Sequence, residues 1–355
     1  MEDNASQATP QPQMLPFEFS GKGSEYFSIW IVNVALTIVT FGIYSAWAKV
    51  RKLQYLYRNT SLAGSSFDYH GNPLGILKGR MIALGALVAV QAGLQFAPGL
   101  GFVLILALAA VMPWMIKRSL QFKLYNSSYR GLRFGFTGAT SGAYRVFLGL
   151  TLAAGLTLGL LWPYAHQQIK HYQHSNSRFG QTSFGFTAPA GAFYQTYFIA
   201  GLLGIVFLVL LGILAASTIV SIFTGGGANY SPVTIILITL LMLGFLGLYQ
   251  ALIGPFIQAR LQNVIWNNTN LGPHQFLSMV SARKMIFITF TNLLLIVLTL
   301  GLYKPFATIR LLRYQLASMS FVPQGSLDNF VANQLQQQSA TGEETAEMFD
   351  IDISL

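Results

Sequence analysis

Arginine and asparagine recur at fixed spacing in this chain, and both can hold anionic or carbonyl oxygens. Five windows align without gaps: 46–60, 113–127, 163–177, 255–269 and 305–319. Each opens on Pro or Ala and then an aromatic: Trp47, Trp114, Tyr164, Phe256 and Phe306. Four residues later stand Arg51, Arg118, Gln168, Arg260 and Arg310. Four further on come Tyr55, Phe122, Tyr172, Val264 and Tyr314, and four more give Asn59, Asn126, Asn176, Asn268 and Ser318. A spacing of four places these side chains on one helix face. A guanidinium offers a planar fork of donors that fits phosphate. Arg51, Arg118 and Arg310 are therefore the candidate anion or lipid-headgroup contacts. The plainer reading of the same face is an interfacial helix with an aromatic belt and snorkelling arginines. Asn33 and Asn292 fall midway along equivalent apolar segments and are candidate intramembrane polar contacts. There the plainer reading is a hydrogen bond to a neighbouring helix.

The composition excludes most other chemistry. The 355 residues are 53% hydrophobic and only 9% charged, with mean hydropathy +0.51 and a formal charge of +10. Soluble domains carry about 25% charged residues, so this composition predicts an integral membrane protein. No carboxylate side chain occurs from residue 69 to 327, and there is no cysteine. Paired-carboxylate hydrolysis, acid-built metal sites, acidic proton relays and thiol chemistry have no residues to use there. His166, His171 and His174 cluster, but at spacings that match no zinc motif. Gly225-Gly226-Gly227 lacks the Gly-Lys-Ser/Thr of a phosphate loop. No catalytic, cofactor or metal residue is predicted, and the chain is not expected to be an enzyme. Basic loops at a membrane account for the charge better than nucleic acid does.

Seven hydrophobic segments follow, at roughly 27–47, 79–97, 99–116, 144–165, 194–223, 233–257 and 285–303. Read as seven crossings, they place fifteen Lys and Arg on one side and six on the other. The rich side should be cytoplasmic, which puts the N-terminus in the periplasm and the C-terminus in the cytoplasm. Short segments of alternating aromatic and small residues, with Phe67, Phe134, Phe184 and Phe276 in corresponding places, predict surface strands. Under this topology 17–21, 182–186 and 274–278 share the outer side, and 65–69 and 132–137 the inner side. The expected fold is thus all-α and polytopic, with about seven transmembrane helices, interfacial amphipathic helices and short surface β-strands. A disordered tail is expected over 1–16, one membrane domain over 17–323 and a polar tail over 324–355. The domain divides into repeat units at roughly 17–71, 72–138, 134–188, 189–280 and 276–323.

The segments TFGIYSAWAKVRKLQY (40–55) and TLGLYKPFATIRLLRY (299–314) match, with TLGLLWPYAHQQIKHY (157–172) between them. Asn33 and Asn292 each stand nine residues before the motif glycine. Odd-numbered single spans imply units flipped across the membrane, a layout common in transporters. A transporter or channel for a small or anionic solute is the leading expectation. The alternative is a lipid-binding or structural membrane protein. Membrane lipids, anionic headgroups above all, are the expected partners, and no cofactor is expected.

These motifs, with RNTSLAGSSFDY (58–69), resemble the YjgN-like family of uncharacterised bacterial inner-membrane proteins over roughly 17–323. The resemblance implies a multi-pass inner-membrane location and brings no activity, substrate or catalytic residue. Unit three departs locally, with Leu161 where Tyr44 and Tyr303 stand, and Gln168 in place of the arginine.

Overall fold

The computed structural model describes residues 14–223 and 231–348. The tail expected over 1–16 therefore lies outside the described residues for 1–13, and so does the glycine run. Ten strands form one closed barrel: β1 Leu15–Phe19, β2 Thr60–Leu62, β3 Ser65–Tyr69, β4 Ser127–Tyr129, β5 Leu132–Phe136, β6 Ser177–Phe179, β7 Thr182–Phe186, β8 Thr269–Leu271, β9 His274–Ser278 and β10 Met319–Val322. Neighbours pair antiparallel in chain order, and β10 closes the barrel on β1. The alternating segments located β1, β3, β5, β7 and β9, whereas β2, β4, β6, β8 and β10 were not read as separate strands. Their assembly corrects the all-α expectation to a mixed α/β fold. Closure removes every open edge, which separate small sheets would have left exposed beside lipid.

A helical hairpin precedes each pair β2–β3, β4–β5, β6–β7 and β8–β9, and a fifth precedes β10. The first is α1 Gly23–Val39 with α2 Ser45–Arg58, and the second is α3 Pro73–Phe96 with α4 Pro98–Tyr125. The third is α5 Thr140–Tyr144, a π-helical turn Arg145–Gly149 and α6 Leu150–Leu156, returning as α7 Trp162–Ser175. The fourth is α8 Ala190–Phe223 with α9 Pro232–Asn267, and the fifth α10 Ala282–Leu298 with α11 Lys304–Ala317. Each arm packs on the next around a ring, and α11 returns to α1.

The hairpins come in two lengths. Among the described residues four helices are long and apolar enough to cross a membrane: Pro73–Phe96, Pro98–Tyr125, Ala190–Gly212 and Thr239–Asn267. The segments 27–47, 144–165 and 285–303 reverse instead of crossing, so the seven-span bundle is not formed. Their Thr-Phe/Leu-Gly motif is the reversal. Phe41 and Gly42, Leu158 and Gly159, and Leu300 and Gly301 all take left-handed φ, between 49° and 93°. The Gly42 amide donates to the Thr37 carbonyl at 2.8 Å, Gly159 to Ala154 at 2.7 Å and Gly301 to Ile296 at 2.7 Å. These six-to-one bonds close the helix end as in a Schellman motif. The threonine hydroxyl then caps the second arm: Tyr44 N–H donates to Thr40 Oγ1 and Tyr303 N–H to Thr299 Oγ1, both at 3.0 Å. A hydropathy window registers the apolar run and misses the two positive φ angles within it.

Inverted units are excluded with the seven spans. Every unit leaves the barrel, reverses and returns, so all strand segments lie together, and 17–21 is not separated from 65–69. The pairing of Leu15 with Phe321 brings the first and last strands side by side, where opposite membrane faces were expected.

The barrel core is built from facing residues of adjacent units: Phe17 with Leu62, Phe67 with Tyr129, Phe134 with Phe179, Phe184 with Leu271, and Phe276 with Phe321. One face of each short strand thus supplies the interior side chains, as the two-residue period requires, with Leu15 and Leu132 adding a second residue on β1 and β5. The helix α12 Leu327–Met348 lies within the segment expected to be a polar tail. It buries Leu327 and Val331 and lays Phe330 against the same cluster.

Candidate functional site

The repeated helix face resolves into positioning work first. Asn59, Asn126, Asn176 and Asn268 end the second arms, and each Nδ2 donates to the carbonyl four residues back at 2.7–2.8 Å. Ser318 does the same with its hydroxyl at 2.8 Å. In three of the five units a tyrosine ties the second arm to the start of its partner. Tyr55 bonds Lys22 through both N–H and carbonyl at 2.8 and 2.9 Å, Tyr314 bonds Ser281 likewise at 2.8 and 3.2 Å, and Tyr172 donates to Ala139 at 2.9 Å.

The arginines are placed separately. Arg310 donates to Thr291 Oγ1 at 2.8 Å and Asn292 Oδ1 at 3.2 Å within its own hairpin. Arg118 lies over Trp114 at 5.6 Å and reaches Gln121 at 3.5 Å. Arg51 lines a shallow groove of α1 and α2 with Ser28, Gln54 and Arg58. Asn292 also donates to the Ala307 carbonyl at 3.3 Å, bridging α10 to α11.

Asn33 has a different setting. It lines a cavity of about 380 Å³ bounded by α1, α2 and α11. The wall carries Lys49, Lys52 and Lys304, with Thr37, Ser45, Thr308, Tyr26 and Trp30. The opening residues of α11 meet the first hairpin only because the ring closes. That long-range juxtaposition left no mark in the local sequence pattern, and sequence reasoning missed all three lysines. The only available signal was the lack of acids from 69 to 327. Among the described residues, Lys and Arg pair with carboxylates at Lys22–Glu25, Arg58–Asp68 and Arg130–Asp328, none of them in this cavity. Asn33 is 7% exposed, and its Oδ1 is buried without a hydrogen-bond partner. Three ammonium groups suit an anion, whereas the Thr37, Ser45 and Thr308 hydroxyls already donate to the backbone carbonyls of Asn33, Gly42 and Lys304.

The barrel has its own electrostatics at the strand turns. Arg130 pairs with Asp328 of α12, and Arg130 Nη2 donates to the Ala63 carbonyl at 2.9 Å. Burial alone would raise the Asp68 carboxyl. The Arg58 guanidinium and the Tyr69 N–H outweigh that and hold it below the ordinary carboxylate value. His274 is 2% exposed, and its Nδ1 accepts from the Gln324 N–H at 3.0 Å. Burial holds this imidazole below its ordinary value of 6.5.

Spanning hairpins, reversing hairpins and a barrel together define a multi-pass membrane protein. The family described as "Bacterial protein of unknown function (DUF898)" matches residues 14–348. The chain belongs to this YjgN-like family of uncharacterised bacterial inner-membrane proteins. It is 37% identical over 122 residues to the inner membrane protein YjgN of Salmonella typhimurium, covering 33% of this chain and 30% of that protein. It is 34% identical over 151 residues to the protein of the same name from Escherichia coli K12, covering 39% of this chain and 36% of that one. The match thus spans about a third of the length of these relatives. No solved structure matches.

Proposed function

We propose that the protein binds anionic lipid at the inner membrane, holding a headgroup phosphate among Lys49, Lys52 and Lys304. The observation that carries this reading is the convergence of three lysines without a carboxylate beside helices that enter the membrane. Unpaired cations at such depth are costly, and lipid phosphate is the abundant counter-charge. The barrel faces the cytoplasm in this reading. In the sequence, the residues between the arms of the two spanning hairpins, 97 and 224–231, include no Lys or Arg. The barrel ends of the same hairpins carry Lys78, Arg80, Lys117, Arg118, Lys123 and Arg260. The positive-inside rule then sets both chain ends in the cytoplasm.

Transport loses its main support. The polar path expected between the Asn33 and Asn292 segments is occupied at Asn292 by bonds internal to one hairpin, and the barrel interior is lined by apolar side chains. The test is retention of phosphatidylglycerol by native mass spectrometry, comparing wild type with Lys49/Lys52/Lys304→Gln. Each basic contact is worth about 1 kcal/mol near an anionic membrane. Three should weaken retention on the order of 100-fold. The Arg51/Arg118/Arg310→Gln protein serves as the comparison. Equal retention by wild type and the lysine variant would remove the site.

A further inference from the structure

We propose that the barrel interior is a second binding site, for the end of a hydrocarbon chain. The five units do not fill it equally. The equivalent positions of β2, β4, β6, β8 and β10 hold Leu62, Tyr129, Phe179, Leu271 and Phe321. Two units thus supply a leucine where three supply a ring, and a void of about 150 Å³ remains among them. The wall exposes no polar surface to this void. The Tyr129 hydroxyl is already spent on the Leu62 carbonyl at 2.7 Å. A dry apolar cavity of about this volume accepts a benzene-sized hydrocarbon.

The two ends of the chamber differ, and that difference identifies the occupant. At the strand turns α12 closes it with Leu327 and Phe330. It is pinned there by the Arg130–Asp328 pair and by Gln334 Oε1, which accepts from the Gln181 N–H at 2.7 Å. Toward the helices the wall includes Trp266, in the last turn of the spanning helix α9. The end not covered by α12 therefore adjoins the membrane arms, where hydrocarbon chains are the abundant apolar material. This site uses different residues from the cationic cavity and leaves them unaltered, so either reading can fail without the other.

The test uses the full chain in nanodiscs of phosphatidylethanolamine and phosphatidylglycerol, doped with a phospholipid whose acyl chain ends in a diazirine. After irradiation, adducts are mapped by peptide mass spectrometry, with α3 as the lipid-facing reference. Wild type should carry adducts on strand peptides 60–69, 127–136 and 177–186. Leu62→Phe/Leu271→Phe, which copies the rings of the other units, should lower the strand-to-α3 ratio on the order of tenfold. Should the double variant fail to fold, Leu271→Phe alone is compared with wild type. Adducts confined to the hairpin helices, or an equal ratio in filled and wild-type proteins, would overturn the proposal.

Discussion

The short and long hairpins are the same unit built to two depths. The first arm α1 has 17 residues, about 26 Å at the helical rise, whereas α3 has 24 and α4 has 28, about 36 and 42 Å. A bilayer core of about 30 Å separates these classes. The long arms keep their charges at the barrel end. The short second arms place Lys49, Lys52 and Lys304 within two turns of the reversal. The exposed tips agree: Phe41, Leu158 and Leu300 are 98%, 95% and 95% exposed. An apolar tip that no described residue covers suits hydrocarbon, and a hairpin too short to cross would end inside the membrane. Length thus sorts the repeats into spanning elements and shallow elements that can bring cations to lipid headgroups.

The sharpest way to break this comparison is to charge the tips. Leu300→Asp should cost about 3 kcal/mol of insertion and cut the membrane-integrated yield, while Ala97→Asp at a spanning turn should be tolerated. The absence of native cysteine gives a companion readout. A membrane-impermeant maleimide should label Ala97→Cys from the periplasm and leave Leu158→Cys unlabelled. Labelling of both would make the short hairpins spanning. Within the long hairpin, a Cβ on Gly101 would clash with the Gly93–Leu94 backbone, whereas Gly85 has open space. Gly101→Leu should therefore lower thermal stability by about 1–3 kcal/mol, and Gly85→Leu by almost nothing. At the short reversal, Gly159 has φ +87, so Gly159→Ala should cost about 1 kcal/mol. Unchanged melting would mean that the turn relaxes.

The smallest effects belong to α12. His274 is held neutral beneath it, so loosening α12 re-solvates the ring and lets it take up a proton. The folded value is depressed, so this contribution is intact above 6.5 and declines as pH falls below it. Protection from hydrogen exchange in 327–337, taken relative to the intrinsic rate at each pH, should fall at pH 5 compared with pH 7.5, and His274→Phe should flatten the difference. Asp328 is 82% exposed at its side chain, so Asp328→Asn should loosen α12 by no more than about 1 kcal/mol.

Local grammar was legible in the sequence, and assembly was not. The window alignment located every second arm and the residues repeated along its face, but not that its tyrosines tie the arms together or that its Asn and Ser side chains close the helix ends. The alternating segments located strands. What escaped was direction, because Phe41-Gly42 and its equivalents reverse the chain inside a run that satisfies any hydropathy criterion. An error of one reversal propagates: it flips every later unit and scatters the strands over two faces. The arginines were found as a pattern, yet Arg310 is engaged by Thr291 and Asn292. Lys304 was invisible because its neighbours lie about 250 residues earlier in the chain.

The pairing of β1 with β10 also has a consequence for how the protein is made. The first strand emerges from the ribosome some 300 residues before its partner, so it must wait through the insertion of all five hairpins. Until then the growing sheet has two unpaired rims, and the aromatic side chains of its inner face are open to water. Biogenesis therefore has a last step, and a nascent chain halted before Met319 is an arc able to zip onto another arc. Such chains should depend on chaperones or form mixed assemblies, whereas a chain released after Val322 can seal itself.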